Sequence, residues 1–176
     1  MYGIMRMEDK MNDTAILNGK RILIVDDEED VLATISDLLD MCDNDVAASF
    51  DAARKFMEEN QYDLAILDIM GVRGYELLEL TQPKGIPVMM LTAHALNLRA
   101  FEKSMKGGAS AYIPKEEMTD IASYAAELLE ARAKGIQRPG NWFRRLESFF
   151  ERQFGTEWSA NYKEAREKYP WLDFDE

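Results

Sequence analysis

The stretch Arg21-Ile22-Leu23-Ile24-Val25-Asp26-Asp27-Glu28-Glu29-Asp30 sets four consecutive apolar residues directly before a run of acids. An apolar run without alternation is the pattern of a parallel strand covered on both faces. In an open α/β sheet, ligands bind beyond the carboxyl ends of the strands, so Asp26 and Asp27 stand where chemistry is expected. Adjacent carboxylates raise each other's pKa unless a cation lies beside them. Mg2+ suits the position, because it takes one or two protein carboxylates and leaves its other sites to water and phosphate. Taken alone, the pair also reads as a cap for a helix beginning near Asp30, since Asp is a favoured N-cap. The ends of the other strands decide between the two.

Working outward, the chain alternates short strands with helices, the pattern of βα units. Asp30 to Met41 carries Val31, Ile35, Leu38 and Leu39 at helical spacing, and Asp43-Asn44-Asp45 reads as its breaker. A weak second strand is expected over Val46 to Phe50. A helix capped by Asp51 runs to Glu59, with Ala52, Ala53 and Phe56 inward. Strand three is Asp63 to Asp68, and a short helix covers Tyr75 to Leu80. Strand four is Ile86 to Leu91, and helix four is Asn97 to Lys106, stopped by Gly107-Gly108. Strand five is Ala111 to Ile113. Helix five, Thr119 to Lys134, has Ile121, Tyr124, Ala125, Leu128 and Leu129 on one face and Gly135 as its stop. The expected fold is a five-stranded parallel sheet with helices on both faces.

A site on such a sheet is assembled from strand ends. Strand one supplies Asp26 and Asp27, strand three Asp68, strand four Thr92 and strand five Lys115. Three carboxylates, a hydroxyl and an ammonium on one rim make an acidic metal pocket with a cationic counterpart. A carboxylate beside Mg2+ can attack a phosphoryl donor, with Lys115 neutralising phosphoryl oxygens and Thr92 donating a hydrogen bond.

Those residues resemble, over about positions 20 to 135, the receiver domains of two-component response regulators, which have a flavodoxin-like fold. The resemblance is carried by the acidic pair in Ile24-Val25-Asp26-Asp27-Glu28, by Ile66-Leu67-Asp68, by Met90-Leu91-Thr92-Ala93 and by Ala111-Tyr112-Ile113-Pro114-Lys115. It implies that Asp68 accepts the phosphoryl group and that Asp27, Asp68 and the Met70 carbonyl ligate Mg2+. Asp26 would act largely through water. Thr92 and Tyr112 would be the switch residues, and His94 occupies a position that tunes phosphoryl lifetime. Two departures stand out. The loop after Asp68 reaches its helix about two residues early and lacks proline, and Pro114 precedes Lys115 where the family places proline after the lysine.

Composition limits the partners. The 176 residues are 47% hydrophobic, enough for one packed domain and an appendage, and the net charge of −12 argues against nucleic acid and against anionic membrane as non-specific partners. Cys42 is the single cysteine, which excludes an intrachain disulfide and fits a cytoplasmic setting. Residues 1 to 19 lack a signal-peptide core and are expected to be loosely ordered. No apolar run is long enough for a transmembrane helix.

The tail from residue 136 is near charge balance and holds Trp142, Trp158 and Trp171. After Arg138-Pro139-Gly140, Asn141 opens a helix with Trp142, Leu146, Phe149, Phe150 and Gln153 on one side. A second helical stretch follows Thr156, with Trp158, Tyr162, Ala165 and Tyr169 in phase and Pro170 at its end. Such a segment folds back on the body, pairs with a second copy, or anchors a partner through its aromatics. Together these features imply a stand-alone response regulator, not an enzyme in the usual sense. It would be phosphorylated by a histidine kinase or phosphotransfer protein and act through protein contacts. Its output would be an unknown protein or self-association through helix four, strand five, helix five and the extension. The alternative is a receiver-fold scaffold that works through the extension and does not use phosphate.

Overall fold

A computed structural model describes residues 14–94, 97–136 and 141–155, together with 164, 167 and 168. Five parallel strands alternate with five helices, and a sixth helix follows. They are β1 (Arg21–Val25), α1 (Glu29–Leu38), β2 (Asp43–Ala47), α2 (Phe50–Glu59), β3 (Leu64–Asp68), α3 (Gly74–Thr81), β4 (Val88–Thr92), α4 (Leu98–Lys106), β5 (Ala111–Pro114), α5 (Ile121–Ala133) and α6 (Asn141–Phe154). The sheet order is β2-β1-β3-β4-β5. β1, β3 and β4 are buried at nearly every position, as their unbroken apolar runs require. α1 packs beside α5 and α2 beside α3, so the two faces of the sheet are both covered.

Several boundaries differ from the sequence reading for identifiable reasons. The triplet Asp43-Asn44-Asp45 forms the start of β2 and does not precede it. β2 is an edge strand, so its acids need no core partner. Asp45 accepts from Arg21 Nε and Nη2 at 3.0 and 2.9 Å and from the Tyr62 hydroxyl at 2.7 Å. Asn44 Nδ2 donates to the Leu39 carbonyl at 2.8 Å and so caps the end of α1. The N-cap of α2 is Ser49, whose hydroxyl accepts from the Ala52 amide, and Asp51 lies inside the first turn. A 3₁₀ turn over Lys115–Asp120 delays α5 to Ile121.

The packed body begins before residue 20. Within the segment expected to be loose, Leu17 is fully buried, a 3₁₀ turn spans Ala15–Leu17, and the Gly19 amide donates to the Met41 carbonyl. Residues 1–13, the 137–140 linker and the stretch expected to contain Trp158, Tyr162, Ala165 and Tyr169 lie outside the described residues.

α6 bridges α4 and α5 on the side of the sheet that ends in β5, its second edge strand. Its stripe of Trp142, Leu146, Phe149 and Phe150 is buried as its spacing predicts, and Phe143 is buried with it. Trp142 and Phe143 meet Phe101 of α4 at centroid distances of 6.5 and 6.0 Å. On the other flank Arg145 Nη1 donates to Ser123 Oγ at 3.0 Å and to Glu127 Oε2 at 3.2 Å, and its guanidinium lies 4.1 Å from the Tyr124 ring centroid. Burial of these aromatics drives the docking, with the cation over the Tyr124 ring adding to it.

Candidate functional site

The strand order reverses at β1. The chain passes from β1 to β2 on one side and then returns to place β3 on the other, and that switch point opens a crevice at the carboxyl ends of β1 and β3. Register fills the crevice. Val25 pairs with Leu67, which sets Asp26 near Asp68, and Asp68 pairs with Leu91, one residue before Thr92. Thr92 in turn pairs with Pro114, one residue before Lys115.

Asp26 and Asp68 are 0% and 3% exposed, whereas Asp27 faces solvent. One carboxylate oxygen from each of the three lies within 4.8 Å of the others. Lys115 reaches across with Nζ at 2.7 Å from Asp26 Oδ2, 2.8 Å from Glu28 Oε1 and 3.2 Å from Asp68 Oδ1. Asp26 does not cap α1, whose N-cap is Glu28 without a side-chain capping bond; its Oδ1 accepts the Glu28 amide at 2.9 Å in a turn that precedes the helix.

Burial pushes the Asp68 carboxyl up to about 6, and the charge of Asp26 adds to the effect while Lys115 opposes it. Burial alone would lower Lys115, but its hydrogen bonds to Asp26 and Glu28, with the charge of Asp68, hold it above the ordinary lysine range. Two carboxylates buried beside Lys115, with the solvent-facing Asp27 next to them, leave an unbalanced negative site. All-oxygen donors of that charge and spacing fit Mg2+.

The short loop after β3 is folded against this cluster. Gly71 has φ +79°, and a Cβ there would stand 2.4 Å from Asp27 Oδ2. A Cβ on Gly74 would stand 2.1 Å from the Asp68 carbonyl. Arg73 between them takes φ 56°, with its guanidinium stacked 4.0 Å from the Phe50 centroid and paired with Glu76. Two glycines and one left-handed arginine thus replace the longer loop. Met70 is 68% exposed, and its carbonyl accepts from the Val72 amide at 2.9 Å. Gly71→Ala is expected to lower Mg2+ affinity about 10- to 100-fold, because the methyl displaces the Asp27 carboxylate. A Mg2+ titration followed by the rise in Tm would measure it, and an unchanged midpoint would rule out loop contact as a determinant of the metal.

Thr92 is buried and its Oγ1 accepts the His94 amide at 3.0 Å, while His94 itself is exposed. Tyr112 is buried behind Thr92 with its ring edge-on to Phe101 at 5.5 Å. The structure therefore brings together Asp26, Asp27, Asp68, Thr92 and Lys115, with Tyr112 behind them. Glu28 and Gly71 were missed by the sequence reading. Glu28 is signalled only as a third acid after the strand, and Gly71 only as a glycine in a loop of unusual length.

The model of the response regulator receiver domain matches residues 22–126. The chain belongs to that family. The receiver domain carries phosphorylation-dependent signalling in two-component response regulators, and the family generally holds Mg2+ at an acidic pocket of the kind described above. Among similar proteins, the transcriptional regulatory protein CpxR of Klebsiella pneumoniae is 31% identical over 126 residues, covering 69% of this chain and 51% of that protein. The two-component response regulator ARR10 of Arabidopsis thaliana is 34% identical over 114 residues, covering 58% of this chain and 20% of that one. A crystal structure of a CheY-like response regulator receiver domain protein from Methanospirillum hungatei has a TM-score of 0.62 at 30% identity. It covers 67% of this chain and 99% of the solved one. The receiver match thus ends before α6, and the chain spans about half or less of the length of these two curated relatives. Among the described residues, no helix is long and apolar enough to cross a membrane.

Proposed function

We propose that the protein is a phosphorylation-dependent switch in which Asp68 takes a phosphoryl group from a histidine kinase or phosphotransfer protein. The observation that carries this reading is the convergence of Lys115 on Asp26 and Asp68 at the switch point of the sheet. In it, Asp27, Asp68 and the Met70 carbonyl would hold Mg2+, with Asp26 acting largely through water, and the ion would supply charge compensation during transfer. An Asp68 oxygen forms the new bond to phosphorus as the donor's leaving group departs. Lys115 holds the transferred oxygens, and the Thr92 hydroxyl donates to one of them. Thr92 and Tyr112 are then the residues whose movement reports the modification. The body, from the packed segment at Thr14 to residue 135, carries the switch, and residues 136–176 form an attached module. Output runs through contacts made by α4, β5, α5 and that module, with a partner protein or a second copy.

A cytoplasmic setting belongs to the same proposal. It is supported by Cys42, a free cysteine whose thiol burial pushes up to about 11, leaving it a poor nucleophile. The test is mass spectrometry after incubation with a small phosphodonor and Mg2+. One phosphoryl group on Asp68 is expected, absent when Mg2+ is omitted from the incubation, and label on any other residue overturns the assignment.

A further inference from the structure

α6 packs against α4 and α5, and a short chain of aromatic contacts through Phe101 links it to Tyr112 of β5. Thr92 at the end of β4 is the polar neighbour of the Tyr112 hydroxyl, which is buried without a well-formed hydrogen bond to any described residue. The Tyr112 ring meets Phe101 edge-on, with an interplanar angle of 87°. Phe101 supports Trp142 and Phe143, which meet each other at 5.5 Å, and Phe143 continues to Phe150 at 5.9 Å. Five rings, Tyr112, Phe101, Trp142, Phe143 and Phe150, thus connect the candidate switch hydroxyl to the body of α6. The Trp142 Nε1 is also buried without a described hydrogen-bond partner.

A buried hydroxyl or indole N–H with no partner opposes the packing that holds it. The docked arrangement therefore depends on ring contacts, with Arg145 as its polar fastening. Those ring contacts share Phe101. If Thr92 is drawn toward a phosphoryl oxygen, Tyr112 loses its polar neighbour and gains room beside β4. Packed interiors respond to such a change by switching between arrangements. Phe101 is then the ring whose displacement removes the support of Trp142 and Phe143.

We infer that α6 is an intramolecular cap whose docking competes with the phosphorylated state, with Tyr112 and Phe101 relaying the change from Thr92 to Trp142. This rests on the proposed acceptor role of Asp68, and it goes further in naming what the modification releases. The occupant is fixed by the structure as this chain's own helix, and its release bares the aromatic face of α6 and the surface beneath it.

The coupling is reciprocal, so a phosphoryl mimic that loosens α6 must bind more tightly once α6 is loosened by mutation. The experiment uses the full chain carrying Trp158→Phe and Trp171→Phe, so that Trp142 alone emits. Beryllofluoride with Mg2+ is titrated, fluorine NMR reports occupancy, and Trp142 emission and amide exchange over 141–155 report docking. Expected are a red shift and about tenfold faster exchange on occupancy, both absent in Asp68→Asn. Arg145→Ala, which removes the polar fastening, and Phe143→Ala, which removes a ring, are each expected to tighten beryllofluoride binding by about fivefold or more. A helix that served only stability would lower Tm in both variants and leave that affinity unchanged. Bound fluorine signals with unmoved Trp142 and unchanged affinities overturn the cap while leaving the site reading intact. Absence of any bound signal overturns the site reading, and the cap with it.

Discussion

Lys115→Ala is expected to destabilise the protein in metal-free buffer by about 3 kcal/mol, because removing one partner of a buried ion pair leaves the other charge uncompensated. Here two carboxylates are left, Asp26 and Asp68, each almost fully buried and each within 3.2 Å of the lost ammonium. The third partner, Glu28, is exposed and hydrates freely once released, so it adds little to the loss. Mg2+ should recover much of the stability, since it supplies positive charge to the same carboxylates. The measurement is the urea midpoint with and without millimolar Mg2+. A variant whose midpoint equals wild type in metal-free buffer would show that Lys115 does not balance the site. Labelling should suffer less than signalling. A small donor delivers its phosphoryl group wherever metal and Asp68 are in place, whereas the later pull on that group has lost its cation.

The sequence exposed the chemistry of this site more fully than its surroundings. Asp26, Asp68, Thr92 and Lys115 were legible in position because each closes or directly follows a buried strand, and strands of a parallel sheet end on one rim. Glu28 was not, since its contact depends on how far the Lys115 side chain crosses the crevice. β2 was misplaced because Asp43 and Asp45 are poor strand residues, and only their tertiary partners Arg21, Tyr62 and Lys20, whose carbonyl takes the Asp43 amide, explain them. Ser49 and Asp51 are equally good caps by type, and the choice between them rests on backbone geometry. The amphipathic stripe of α6 was plain from spacing. Its target was not, because Phe101 is one apolar residue in a helix of ordinary pattern, and nothing local marks it as the ring on which Trp142 and Phe143 rest.

Asp68→Asn is expected to abolish labelling and, in metal-free buffer at pH 7, to make the protein more stable. Both outcomes come from one carboxylate. The raised value of about 6 means that the folded state binds a proton on Asp68 that the unfolded chain, near the ordinary 3.8, does not hold. For a carboxyl raised on folding, the favourable contribution is fully present below the unfolded value and is lost as pH rises from there through the folded value. Between about pH 4 and pH 6 wild type therefore loses stability relative to the asparagine variant, by about 2 to 3 kcal/mol at the end of that window. The difference between the two proteins isolates this site from the other acids, which titrate in both. Mg2+ reverses the order, because the ion binds ionised carboxylates in wild type, and the variant lacks one of its three. Chemical denaturation of both proteins at pH 4.5, 6 and 7.5 (chosen around the value of about 6), with and without Mg2+, measures the whole pattern. Parallel stability curves across that range would remove Asp68 as a destabilising buried charge. Persistent labelling of the variant at the wild-type rate would remove it as the acceptor.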